Sequence, residues 1–201
     1  YEAGKPAGDY EIAAEGTVTA KNYVLTKIVP GTLTVLKKGI TLTVKDQACK
    51  YGDPAPVEEA GIAKYDGLLD KDMEDGQPKE GVLEADLTYT YVDYEAGSPV
   101  GEYVINAEGT ITSQNYELVK IIPGVLTVGK SVLVITAKDN TIVYGDDPAG
   151  NGFTAEGFVD GDDESVLDVS GLGYNFTYEK FGDIGTYDIV PYGIKAQDYA
   201  I

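Results

Sequence analysis

Residues 94–130 read YEAGSPVGEYVINAEGTITSQNYELVKIIPGVLTVGK, and residues 1–37 read YEAGKPAGDYEIAAEGTVTAKNYVLTKIVPGTLTVLK. The two stretches start 94 − 1 = 93 residues apart, and 24 of their 37 aligned positions are identical. Self-similarity at a fixed long period marks an array of supersecondary units. Working outwards, ITLTVKDQACKYGDP at 40–54 aligns with LVITAKDNTIVYGDD at 133–147 with the same offset. A complete repeat therefore spans 39–130, preceded at 1–38 by the C-terminal half of a repeat and followed at 131–201 by another. This last repeat is shorter inside, since Gly185 answers Gly101 at 185 − 101 = 84. The 201 residues stop before any counterpart of the closing PGVLTV strand.

Within a repeat, the residue types alternate between turn chemistry and strand chemistry. Pro6 to Tyr10 reads as a turn releasing into a strand, because Pro fixes φ and Gly8 permits positive φ before Tyr10 and Ile12 alternate at the period of two. Asn22-Tyr23 and Asn115-Tyr116 mark a second turn, and Thr32 to Val35 a closing strand with threonine and apolar side chains on opposite faces. Ile40, Leu42 and Val44 share one face of the strand that opens the complete repeat. Tyr51-Gly52-Asp53-Pro54 then punctuates the chain, repeated as Tyr144-Gly145-Asp146-Asp147-Pro148. Gly can supply positive φ there, Pro holds the preceding residue extended, and Asp suits either an Asx-type turn or, less economically, a metal ligand. Links between closing and opening strands are too short to act as flexible tethers, so adjacent repeats are expected to be coupled in orientation.

Composition excludes several classes of activity. The formal charge is −19, from 34 acidic and 15 basic residues. That opposes binding to nucleic-acid phosphates and to anionic headgroups. No apolar run approaches the roughly 20 residues needed to span a bilayer, so no membrane insertion is expected in this window. The absence of histidine removes Ser-His-Asp, Cys-His and His-ligated metal sites. The one cysteine, Cys49, is matched by Ile142 and reads as a small buried apolar side chain rather than a nucleophile. No enzyme activity, cofactor or metal is expected.

Three patterns admit a functional reading beside a structural one. Asp70, Asp72, Glu74 and Asp75 ahead of Gly76 look like a calcium loop, but the D-x-[DN]-x-[DN]-G spacing fails and the bidentate Glu is missing, leaving a helix cap and loop. An Asp before Glu164-Ser165-Val166 likewise reads as an N-cap, giving one short helical turn per repeat. The alternating aromatic rows at Leu87 to Tyr91 and Tyr174 to Tyr178 suit a small sheet without Trp, and exposure of part of either row would turn them into a surface for sugars. Lys45, Lys138, Asn22 and Asn115 are the positions at which an intramolecular Lys–Asn amide crosslink is worth seeking.

Taken together, four motifs in fixed order resemble the MBG-type repeats with a Y-G-D-P signature that occur in tandem in bacterial surface proteins and adhesins. The matching residues are Tyr51, Gly52, Asp53 and Pro54 with Tyr144, Gly145, Asp146 and Pro148; Pro99, Gly101 and Tyr103 with Pro6 to Tyr10; Asn115 and Tyr116 with Asn22 and Tyr23; and the closing strands at 31–35 and 124–128. The last repeat departs by lacking the Pro before Gly185, by Asp198 in place of Asn, and by an extra Asp147, which leaves its turn geometry open. The resemblance implies an extracellular, cell-surface or cell-wall spacer or stalk without catalytic or cofactor residues, whose partners are neighbouring repeats. The alternative is an adhesin module that binds a glycan or a host protein.

The fold expected is all-β: tandem modules of five or six strands with a short helical turn, β-grasp-like in preference to an Ig-like sandwich. Lacking its closing strand, the last repeat is expected to present an open sheet edge, covered by residues 32–36 or by a neighbouring molecule.

Overall fold

The computed structural model describes residues 2, 4–56 and 62–201. The N-terminal half-repeat holds β1 (Gly8–Ile12) and β2 (Gly31–Val35). The complete repeat runs through β3 (Lys38–Val44), β4 (Gln47–Lys50), β5 (Ala63–Asp66), β6 (Met73–Glu74), β7 (Gln77–Pro78), β8 (Glu84–Tyr91), β9 (Gly101–Thr112), β10 (Tyr116–Ile122) and β11 (Gly124–Gly129). In the last repeat lie β12 (Ser131–Val132), β13 (Val134–Ala137), β14 (Phe153–Glu156), β15 (Leu167–Asp168), β16 (Gly173–Phe176), β17 (Ile189–Tyr192), β18 (Lys195–Ala196) and β19 (Tyr199–Ala200). The only helical elements among the described residues are single 3-10 turns at Asp70–Asp72 and Glu164–Val166, one in each of these two repeats. The chain is all-β.

The chain divides into two compact units whose limits do not follow the repeats. Residues 1–45, 58–90 and 105–124 form the first, and 46–57, 91–104 and 125–201 form the second. In the first unit β3 lies between β10, to which it is parallel, and β5, to which it is antiparallel. The period-two pattern of β3 buries Ile40, Leu42 and Val44, and Tyr116 from β10 joins the same core. Burial of these side chains supplies about 1.5–3 kcal/mol each, which fixes the register, since a one-residue slip would turn all three outwards. In the second unit β11 runs parallel to β4, with Leu126 and Val128 fully buried. There β12 pairs in parallel with β19, β13 with β14 and β16 with β17, the latter two antiparallel.

Two local readings change. The segment Asp70 to Gly76 holds no side-chain cap, since its 3-10 turn follows Leu69 with no capping hydrogen bond, and β6 and β7 form a hairpin whose two loop residues, Asp75 (φ 49°) and Gly76 (φ 77°), both take positive φ. That is the type I′ geometry for which Asp-Gly is suited, because it follows the right-handed strand twist. The aromatic rows also shift. Tyr178 meets Tyr187 edge-on at 5.1 Å as Tyr94 meets Tyr103 at 5.2 Å, so Tyr178 answers Tyr94 rather than Tyr91. The row residues Leu87, Tyr89, Tyr91, Tyr174 and Phe176 are half-buried.

Two stretches that match strands of the complete repeat are not strands themselves. Residues 23–29 match β10, yet carry no strand; Tyr23 is 83% exposed whereas Tyr116 is 2% exposed. Residues 140–143 match β4 and also carry no strand. Of residues 32–36, expected to cover the sheet edge of the last repeat, 32–35 belong to β2 and are paired instead with β1, with Gly8 opposite Val35 and Ile12 opposite Gly31. Within the half-repeat β1 is the one strand close enough in sequence and antiparallel in direction to satisfy them.

Candidate functional site

Each junction between repeats lies inside one compact unit, and the two junctions are built from the same bonds. At the first, the Ala7 N–H donates to Asn115 Oδ1 at 3.0 Å, Lys37 Nζ donates to the Ser113 carbonyl at 2.6 Å, and the Lys38 N–H donates to the Asn115 carbonyl at 2.8 Å. At the second, the Val100 N–H donates to Asp198 Oδ1 at 2.8 Å, Lys130 Nζ to the Ala196 carbonyl at 3.1 Å, and the Ser131 N–H to the Asp198 carbonyl at 3.1 Å. Parallel pairing begins at the equivalent residues, Lys38 opposite Tyr116 and Ser131 opposite Tyr199. Only Leu36-Lys37 separates β2 from β3, and only Lys130 separates β11 from β12. With linkers of this length and bonds on both sides, the turn before one repeat's second half is pinned to the N/D-Y element of the next.

Behind each joint a tyrosine is anchored in the same way. Tyr116, from the first residue of β10, accepts from the Leu69 N–H at 3.2 Å and donates to Asp72 Oδ2 at 2.5 Å. Tyr199 accepts from the Val159 N–H at 2.8 Å and donates to Asp162 Oδ2 at 2.5 Å. Burial, and then the carboxylate that needs the phenol protonated, raises the pKa of Tyr116 above its ordinary value and that of Tyr199 to about 12. Both rings are 2% exposed.

The Y-G-D-P turn belongs to the second joint. Gly52 has φ +88° and the Asp53 N–H donates to the Lys50 carbonyl at 3.0 Å, a β-turn that needs positive φ at its third residue. The Asp53 carboxylate closes the turn by accepting from the Lys50 N–H at 2.8 Å. In the last repeat Gly145, Asp146 and Val143 repeat both bonds, at 2.9 and 3.1 Å, despite the extra Asp147 before Pro148. Asp147 itself takes an exposed ion pair from Lys180. The turn presents Tyr51 to the following repeat: its hydroxyl donates to Asp162 Oδ2 at 2.9 Å and its ring meets Tyr199 edge-on at 5.3 Å. The Asp162 hydrogen bond, followed by burial, raises the Tyr51 pKa.

The third motif is self-contained. Tyr103 donates to the Pro99 carbonyl at 2.7 Å across Gly101, as Tyr10 does to Pro6 at 2.6 Å. Tyr187 makes the same bond to Asp183 at 2.7 Å, so the loss of Pro leaves the turn in place. Substitution of Asn by Asp at 198 is equally tolerated, because the joint uses only the side-chain oxygen as acceptor. Cys49 is half-buried with Sγ 3.2 Å from the Tyr94 hydroxyl, which also donates to the Asp53 carbonyl at 2.7 Å. Burial and this thiol raise the Tyr94 pKa.

The motif residues thus fall into two sets. Asn115 and Tyr116 meet at the first joint, and Tyr51 and Gly52 at the second, whereas Pro99, Gly101 and Tyr103 shape their own turn. Asn115, considered as a crosslinking residue, has its carboxamide engaged at the joint. Asp72 drew attention in the sequence only as part of a cap and loop, and Asp162, Lys37 and Lys130 carried no role there, although Lys37 and Lys130 are identical positions of the two stretches quoted first. Among the described residues no group of three or more acidic or cysteine side chains could hold a metal ion, and no helix is long and apolar enough to cross a membrane.

The family profile described as MBG domain (YGX type) matches residues 40–127 and again 133–201. No curated protein and no solved structure matches the chain.

Proposed function

From the chain's membership of the MBG domain (YGX type) family, in two tandem copies, we propose that it is a non-catalytic spacer in a bacterial cell-surface or secreted protein. In this reading the repeats transmit position and tension between whatever they connect. The observation that carries it is the joint: two junctions 93 residues apart use the same donors, acceptors and strand register. A binding protein needs one good site. A spacer needs the same link made again at every boundary, stiff because its linker is one or two residues.

The parallel pairs β3·β10 and β12·β19 each tie the first strand of a repeat to a late strand of the same repeat, so a pull on the linker before that first strand loads their hydrogen bonds in shear. Single-molecule stretching of the chain tests this. The expected trace has discrete force peaks, lowered when Lys130 and Asp162 are replaced by Ala; extension without peaks rejects the spacer reading. A second reading, attachment to a glycan, is favoured by Tyr144 and Phe181, which lie edge-on at 6.3 Å and are 64% and 66% exposed. Saturable binding on a glycan array, lost on Tyr144→Ala, would favour it over the spacer.

A further inference from the structure

The two joints share a turn as well as their bonds. Leu69 and Val159 each stand three residues before an aspartate, and the Asp72 N–H donates to the Leu69 carbonyl at 2.8 Å as the Asp162 N–H does to the Val159 carbonyl at 2.9 Å. Each turn offers its first N–H and its carboxylate to the tyrosine behind the joint. The complete repeat therefore carries an acceptor face, built from Leu69, Asp72, Ser113, Asn115 and Tyr116. It carries a donor face as well, built from Tyr51, Gly52, Val100 and Lys130. The acceptor face meets residues 1–37, and the donor face meets the last repeat.

The residues that differ between the two joints scarcely alter what each face presents. Asn115 and Asp198 both accept through Oδ1. Ser113 and Ala196 both offer a main-chain carbonyl, and the Ser113 hydroxyl turns away from the joint to donate to the Val82 carbonyl at 2.6 Å. Ala7 and Val100 both use the backbone N–H. Leu69 replaces Val159 with another aliphatic side chain. The strict demand falls on position 52: a Cβ there would overlap Val159, so a preceding repeat without this glycine is excluded by volume.

We propose that the complete repeat is self-complementary, its donor face matching its own acceptor face, so that the partner it selects is a further copy of the same repeat placed in series. Across such a junction the Val100 N–H donates to Asn115 of the following copy, Lys130 to its Ser113 carbonyl, and Tyr51 to its Asp72. Any whole number of copies of 38–130 can then follow one another, because each boundary is the same nearest-neighbour contact. One bond does not carry over: the Ser131 hydroxyl donates to the Tyr51 carbonyl at 2.6 Å, and Lys38 takes that place in the copy. The inference concerns which repeats can be neighbours and does not rest on the spacer reading, since an array of binding modules would be joined in the same way.

The test is the 201-residue chain with residues 38–130 present twice in tandem. Both Val100 N–H groups are expected to be protected from hydrogen exchange, one by Asn115 and one by Asp198; exchange of one of them at the rate of an unstructured peptide overturns the proposal. Tyr51→Phe, introduced into one copy at a time, is expected to lower the urea midpoint by a similar shift in either copy. A shift confined to the copy that precedes the last repeat overturns it too, because the other Tyr51 then has no acceptor in Asp72. Asp198→Asn in the original chain supplies a check that does not need the duplicated one: Val100 is expected to stay protected, and loss of that protection overturns the match. A duplicated chain that passes these measurements yet extends without force peaks would remove the spacer reading and leave this inference standing.

Discussion

Asp162 is the residue on which the second joint turns, because one carboxylate oxygen accepts from Tyr199 of its own repeat and from Tyr51 of the preceding one. Replacing it with Ala leaves two phenols of the joint without their acceptor, and we expect a loss of about 2–4 kcal/mol, from roughly 1–2 for each unmet group. Tyr51→Phe removes a donor and leaves the carboxylate its other partner, so a smaller loss of about 1 kcal/mol should appear in urea unfolding. Equal effects of the two substitutions would show that Asp162 is not shared. The phenols also set a pH limit. A folded pKa raised to about 12 at Tyr199 favours the protonated form in the folded state. Its contribution is complete below the ordinary value near 10 and is lost as pH rises towards 12, since the unfolded chain gives up the proton first. Tyrosinate absorbance should show a late step, above the ordinary phenol value, that Tyr116→Phe and Tyr199→Phe each diminish; its absence would contradict the buried anchors.

At the scale of the element, the two Tyr-Gly-Asp turns separate what glycine does for a turn from what it does for a joint. Gly52 and Gly145 both need positive φ, but a Cβ at Gly52 would collide with Val159, whereas one at Gly145 would meet Phe181 at an ordinary 3.8 Å. Gly145→Ala should cost about 1–2 kcal/mol for left-handed backbone. Gly52→Ala should cost a further 1–3 kcal/mol, in round figures, for displacing the Val159 side chain. Comparable unfolding midpoints for the two variants would remove the turn from the joint. Much of this layout was legible in the sequence. The 93-residue period located the repeats, and the apolar alternation of Ile40, Leu42 and Val44 named a core face. Turn residues marked the strand ends. What escaped was everything decided by pairing. Residues 23–29 have the sequence of β10 and no partner, and the Ala7–Asn115 bond spans 108 residues, a separation across which no local pattern reports. The Asp75-Gly76 hairpin is written in the sequence, for Asp-Gly is a direct turn signal.

For the molecule as a whole, the arrangement is one of boundaries. Both compact units enclose a junction, and the complete repeat contributes to each. The central claim is that two junctions distant in sequence are one joint made twice. Backbone hydrogen exchange resolved at Ala7, Lys38, Val100 and Ser131 addresses it most directly, since these four N–H groups donate the equivalent bonds. The expected result is protection at all four, with Ala7 matching Val100 and Lys38 matching Ser131. Exchange of either pair at the rate of an unstructured peptide would mean that the joint is not closed, or is closed at only one boundary.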